Sequence, residues 1–287
     1  MVYADMLMRG MKMKFAVLIT CFNRVDTTLE CLQHLFVATL PRGFSFDVWL
    51  NDDGSTDGTT EHVIKNYPSV NLIKGSGHDY WCGGMRRAWS VAARACNYDG
   101  YLWLNDDTML KENAFEVIFN AETQRWKDVI LVGAVCGKDG EATYGGENGD
   151  GFYLPDGTWS SIIQMNGNIV FVPRSVFNRL GNFPDYMTHS LGDSYYSRLA
   201  VKVGIPVLLS PGFIGVCEKN LNVPAWKRED VPLLRRLKSL YSPLGGSEPM
   251  VVFRYRSKMF GVMEATRVVL SNHLRMLFPR FWRNRKG

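Results

Sequence analysis

Two acidic tripeptides of the same composition stand directly behind apolar runs of strand character. Asn51-Asp52-Asp53 follows Phe46 to Leu50 and continues as Gly54-Ser55-Thr56-Asp57-Gly58, while Asn105-Asp106-Asp107 follows Tyr101 to Leu104. In an open α/β sheet, ligands bind at the carboxyl ends of the strands. Adjacent carboxylates there repel each other and lose hydration, a cost that a hard cation or a polar ligand offsets. Two such loops point to a nucleotide and a divalent metal bound side by side. Calcium in an EF-hand is excluded: with Asp53 at position 1, position 12 is Ile64 where a bidentate glutamate is required. A surface turn with a helix cap would account for Asp57, Gly54 and Gly58 but not for the pair Asp52-Asp53. A helix N-cap would account for one residue of Asn105-Asp106-Asp107, whereas Mg²⁺ or Mn²⁺ can use all three as oxygen donors.

Positioning these loops requires strands that end together. Lys14 to Thr20 is a continuous apolar, β-rich run, as in a strand buried on both faces. Cys21-Phe22-Asn23-Arg24 turns the chain, and Thr27 with Glu30 reads as a capping box opening a helix with Leu29, Leu32, Leu35 and Phe36. Asp57 is expected to cap a helix that stops before Pro68. Strands are expected at 70–74, 101–104, 129–135, 168–172 and 206–209. Helices are expected at 81–96, 111–126, 173–180, 194–203, 231–240 and 255–277, with loops at 137–161 and 242–249. This alternation predicts an α/β fold, a mostly parallel sheet with helices on both sides.

The ordered set Thr20-Cys21-Phe22-Asn23-Arg24, Asp52-Asp53-Gly54-Ser55-Thr56-Asp57-Gly58-Thr59 and Leu104-Asn105-Asp106-Asp107 resembles the family 2 glycosyltransferases of GT-A fold, across residues 15–220. The resemblance implies a metal-dependent, inverting enzyme using a nucleotide-sugar donor. It implies that Thr20, Asn23, Arg24, Asp52 and Asp53 line the nucleoside pocket. Its D-x-D element falls on Asn105-x-Asp107, making Asp107 the first metal ligand, with Asn105 beside it and Asp106 as second choice or nucleotide contact. Gly75 to Arg86 is similar to the family's glycine-rich segment. Gly75 would let backbone approach the nucleotide, the following helix start would offer amides, and Arg86 or Arg87 would add positive charge. Asp193, after Gly181-Asn182-Phe183, stands where the family has its catalytic aspartate, the general base on the acceptor hydroxyl. Gly192 replaces the family's preceding Glu. As a residue of its own, Asp193 is equally a good helix N-cap, and His189 is a neighbour. The late His ligand of many relatives is missing from Gly212 to Glu218. Cys217 is a soft group poorly matched to Mg²⁺, and Glu218 is the oxygen alternative.

The 46% apolar and 21% charged content is that of an ordinary globular protein. Charge is uneven: residues 221–287 hold 14 Lys/Arg and 4 Asp/Glu, leaving 33 − 14 = 19 basic and 28 − 4 = 24 acidic residues before them. A basic, aromatic-interleaved tail suits either a solvated helical face or peripheral contact with an anionic membrane. Nucleic acid is not expected, since no RNA-binding motif accompanies it. Six scattered cysteines without a C-x-x-C pair, no signal-peptide core and no run long enough to span a bilayer imply a cytoplasmic protein, peripheral at most. The domains expected are a leader (1–13), a GT-A catalytic unit (14–220) and a basic helical extension (221–287). The acceptor would be a glycan or lipid-linked glycan of a surface polysaccharide. Two rivals remain: a sugar-nucleotide pyrophosphorylase, which wants a Gly/Arg-rich loop after the first strand where Cys21-Phe22-Asn23-Arg24 stands, and a silent nucleotide- or carbohydrate-binding relative.

Overall fold

The computed structural model describes residues 12–120, 123, 128–149 and 151–280. The leader as far as residue 11, the basic-aromatic end from residue 281 and most of 121–127 lie outside the described residues. Strand β1 (Met13–Cys21) is central. On one side it pairs in parallel with β2 (Phe44–Asp52), which pairs in parallel with β3 (Asn71–Lys74). On the other side it pairs in parallel with β4 (Gly100–Leu104). The direction of winding therefore reverses at β1, and β1, β2 and β4 deliver their carboxyl ends to one crevice. Beyond β4 the sheet is mixed. β12 (Ile169–Pro173) runs antiparallel to both β4 and β6 (Ile130–Cys136), and β13 (Val207–Val216) closes in parallel on β6.

Alternation along β1 explains the two layers. Ala16 and Leu18 face one core with Trp103 and Trp89, whereas Phe15, Val17 and Ile19 face a second core with Leu102 and Leu104. Helices α1 (Val25–Val37), α2 (Thr59–Asn66) and the short α4 (Ala114–Ile118) cover the second face. Helices α3 (Tyr80–Ala95), α5 (Arg174–Leu180) and α6 (Gly192–Lys202) cover the first. Trp89, fully buried, stacks on Phe177 at 4.8 Å and packs on Tyr101, Trp103 and Tyr196. Truncating such a side chain to Ala costs about 3–5 kcal/mol.

Four local expectations change. The Thr27–Glu30 capping box does not form, because α1 already starts at Val25 and takes its cap from elsewhere: Asp57 Oδ2 accepts from the Val25 amide at 3.0 Å. Asp57 Oδ1 also accepts from the Thr59 amide at 3.1 Å, so one carboxylate serves two helix starts. The helix expected at 111–126 is only Ala114–Ile118: 111–113 and 119–120 are not helical, and most of 121–127 lies outside the described residues. The segment 137–161 is not all loop: β7 (Ala142–Tyr144) joins β6, β8 (Gly146–Asn148) and β9 (Gly151–Tyr153) pair with each other, and β10 (Ser160–Ser161) joins β13. Two further short strands complete these edges, β5 (Met109–Leu110) on β13 and β11 (Gln164–Met165) on β8. The helix expected at 255–277 is two, α8 (Pro249–Phe260) and α9 (Val262–Leu277), broken at Gly261 with φ +92°.

Before them runs α7 (Leu233–Leu240). Helix α8 packs on the body, burying Val251 and Tyr255 in its core. A separate small core joins α7 and α9 through Trp226, Leu240 and Met276. No described helix is long and apolar enough to cross a membrane.

Candidate active site

The crevice at the ends of β1, β2 and β4 contains a cavity of ≈ 330 Å³. Thr20, Arg24, Asp53 and Asp106 line it, with Tyr80, Trp81 and His189 opposite. Of the expected nucleotide residues, these four are thus brought together. Asn23, at φ +51°, ties the first loop to the second: its Oδ1 accepts from the Thr56 amide at 2.7 Å, and its own amide donates to Ser55 Oγ at 2.9 Å.

The two aspartates of the β2 loop are heavily engaged. Asp52 accepts from the Ser55 amide at 2.8 Å and from the Thr60 hydroxyl. Asp53 accepts three backbone amides, Gly77 at 2.8 Å, Asp79 at 3.1 Å and Tyr80 at 2.9 Å. Gly75 permits this approach, since a Cβ there would stand 2.6 Å from Asp53 Cα. The amides at the start of α3 were expected to face phosphate. Instead Tyr80 donates to Asp53, while Cys82 and Gly83 donate to the Thr188 carbonyl at 3.0 and 3.1 Å. Arg86 is likewise not brought to the cavity. Its guanidinium donates to the carbonyls of Pro184 at 3.1 Å and Met187 at 2.8 Å, stapling the loop that carries Thr188 and His189.

The β4 loop differs. Arg24 Nη1 reaches Asp107 Oδ2 at 2.9 Å and Asp106 Oδ1 at 3.2 Å. Asp106 Oδ2 is buried without a hydrogen-bond partner. Burial pushes the Asp106 carboxyl up to about 7, against the pull of Arg24. Asn105 offers its Oδ1 to the Trp81 indole N–H at 2.7 Å, so it orients that ring, and Asp106 and Asp107 remain as the hard donors. Cys217 lies against Asp107, Sγ to Oδ1 3.7 Å, with its thiol pushed up to about 12 by burial. Glu218 instead accepts the Lys138 amide at 2.9 Å. Among the described residues no group of three His, Cys, Asp or Glu side chains forms a cation cage. A Mg²⁺ or Mn²⁺ that keeps its waters and ligand phosphate oxygens needs only one or two carboxylates. The orphaned Asp106 oxygen beside Asp107 meets that requirement, and the residues fit the cation.

A second cavity, of ≈ 400 Å³, is lined by Asp193, Ser194, Asn166, Glu147, Tyr144 and Lys219. Asp193 Oδ1 accepts from the Ser194 amide at 2.7 Å and Oδ2 from the Gly167 amide at 3.2 Å. Burial raises its pKa, and those amides oppose the rise. The Trp81 indole is held between Gly167 and Gly192, where added Cβ atoms would lie 2.6 and 3.2 Å from the ring. A Cβ at Gly192 would also stand 2.5 Å from Cys82 Sγ, which explains why no glutamate precedes Asp193. Trp81 lines the first cavity while its ring lies against Gly167 and Gly192, next to Asp193. Sequence reasoning left out Leu244, which reaches the first cavity from the segment after α7.

Comparison with known proteins identifies the family and the fold. The profile of the family described as "Glycosyl transferase family 2" matches residues 16–181, more than half of the chain. A search of curated proteins by sequence gives no significant match. Among solved structures, a mannosyltransferase from Pyrobaculum calidifontis, in complex with GDP-Man and Mn²⁺, superposes with TM-score 0.56 at 18% identity, covering 93% of this chain and 73% of that one. GalNAc-T7 with UDP, GalNAc and Mn²⁺ gives 0.56 at 15% identity, over 92% and 55%. TarS of S. aureus in complex with UDP-GlcNAc gives 0.53 at 17% identity, over 92% and 79%. At these identities the likeness shows a shared GT-A fold.

Proposed function

The chain belongs to glycosyl transferase family 2, and from that membership we propose that it transfers a sugar, with inversion, from a nucleotide-sugar donor to a hydroxyl of a glycan or lipid-linked glycan, in surface polysaccharide synthesis. The observation carrying this reading is a pair of cavities, one lined by Asp106 and Trp81 and the other by Asp193, with the Trp81 ring lying against Gly167 and Gly192 next to Asp193. In the first, Thr20, Arg24 and Asp53 surround the nucleoside and its phosphates. Asp107 and Asp106 would hold Mg²⁺ or Mn²⁺, which would supply Lewis-acid stabilisation of the departing diphosphate. In the second, Asp193 receives the acceptor hydroxyl proton as the oxygen attacks the anomeric carbon and the bond to the diphosphate breaks. The amides of Ser194 and Gly167 fix the carboxylate's orientation. Peripheral contact of the C-terminal helices with a membrane would bring a lipid-linked acceptor within reach.

A thermal-shift screen of nucleoside diphosphates and nucleotide sugars, with and without Mn²⁺, followed by donor hydrolysis, tests the reading. A Mn²⁺-dependent shift for one nucleotide, with turnover of its sugar derivative, is expected. Binding without turnover would instead identify a silent relative, and binding of no nucleotide would remove the donor site.

A further inference from the structure

Of the 24 exposed large apolar side chains among the described residues, 15 lie after Asn220, so the extension carries most of the apolar surface the catalytic reading leaves unused. On α7, Leu233, Leu234, Leu237 and Tyr241 follow helical spacing, with Leu234 74% exposed. On α9, Leu270, Leu274 and Leu277 do the same, at 59%, 48% and 41%. The two helices adjoin. Arg236 donates to the Met276 carbonyl at 2.6 Å, and the Tyr241 hydroxyl lies 2.9 Å from His273 Nε2. Both leucine rows lie outside the small core of Trp226, Leu240 and Met276.

Charge identifies what covers this face. All four acids of the extension are engaged: Glu229 with Arg280, Asp230 with Arg228, Glu264 with Arg267, and Glu248 with the Thr188 hydroxyl. Arg235 and Lys238 on α7 are exposed, with no carboxylate partner given by any ion pair among the described residues. The segment as a whole carries 14 − 4 = +10. A second copy presenting the same charge would be repelled, whereas an anionic surface is attracted.

We propose that the outer face of α7 and α9 docks on an anionic lipid bilayer, its leucines entering the headgroup–acyl boundary while Arg235 and Lys238 meet lipid phosphates. Leu244, directly after α7, lines the first cavity, and Glu248 ties the start of α8 to the loop carrying Thr188. Docking therefore sets the mouth of that cavity close to the bilayer. This deepens the membrane contact proposed above, and its test requires neither donor nor acceptor.

The experiment is co-sedimentation of the full chain with vesicles of phosphatidylcholine alone or mixed with phosphatidylglycerol. Partitioning about tenfold higher on the anionic vesicles is expected, falling severalfold in high salt as screening predicts. The double variant Leu234→Glu, Leu274→Glu should lose this binding while keeping its circular dichroism, melting temperature and donor hydrolysis. Equal partitioning of wild type on both vesicles, no partitioning on either, or unaltered binding by the variant would overturn the proposal. A dimer in solution that the same substitutions abolish, without vesicle binding, would assign the face to a second copy and overturn it too. Absence of sugar transfer would leave a positive vesicle result standing, and a negative one would leave the transfer reading intact.

Discussion

The same three residues, Asn-Asp-Asp, stand at the carboxyl ends of the two strands flanking β1, running out of β2 at Asp53 and following β4 directly. The surrounding chain treats them in opposite ways. Asp53 is closed by three backbone amides, and Asp52 by an amide and a hydroxyl. Asp106 and Asp107 share one guanidinium, and a buried Asp106 oxygen is left without a partner. Amides that converge on a carboxylate fix architecture. A buried carboxylate oxygen left open is costly unless something binds it. The first loop therefore shapes the crevice, and the second is the one left open to a ligand. Asp193 stands between these cases, held by two amides yet facing a cavity.

The largest expected effect strikes the second loop. Asp107→Ala should lower transfer by about 10³-fold, the several kcal/mol that a metal-held diphosphate is worth. It should also abolish the Mn²⁺-dependent thermal shift while leaving the unliganded melting temperature nearly unchanged. Asp193→Asn should lower kcat by about 10²-fold or more with donor affinity retained, measured by steady-state kinetics and calorimetry. In the first loop the balance reverses. Asp53→Ala should cost about 3 kcal/mol of stability by denaturant titration, because three amides lose a charged acceptor. Were it instead as stable as wild type, the contrast between the loops would fail. Gly75→Ala should cost about 1–3 kcal/mol by overpacking, its methyl driving against the Asp53 backbone. Arg86→Ala, at a residue that staples a loop, should leave nucleotide affinity within about twofold, since no ligand contact is lost.

A pH profile sharpens the intermediate case. The Asp193 pKa is raised in the folded protein by burial. Between the ordinary carboxylate value and the raised one, the native state holds more protons than the unfolded state, so Asp193 makes stability fall as pH rises through that window. If Asp193 is the base proposed above, activity runs the other way, since that base must be ionised: kcat should climb through the same window. Asp193→Asn should flatten both slopes, and an unchanged stability slope would deny the buried placement.

The frame of this fold could be read from the chain because its signals are local. Lys14 to Thr20 and Tyr101 to Leu104 are continuous apolar runs, and the two strands extend only one or two residues past them. Thr20, Arg24, Asp53 and Asp106 fall together because strand ends in a wound sheet meet by topology. What escaped was non-local. Arg86 is drawn to carbonyls about a hundred positions away. Asn105 serves Trp81, and the cap of α1 is lent by Asp57. Spacing carries no trace of a partner chosen by the tertiary structure. The 255–277 helix misled for a simpler reason: Gly261 interrupts an otherwise favourable pattern.

Asp57 has a consequence for how the molecule opens. One carboxylate plugs the starts of both α1 and α2, so opening the start of α2, which carries Asp57 away, strands the Val25 amide of α1 as well. The Val25 and Thr59 amides should therefore exchange with solvent deuterium at matched rates. In Asp57→Ala those two clocks should run fast and fall out of step, each keeping the time of its own helix.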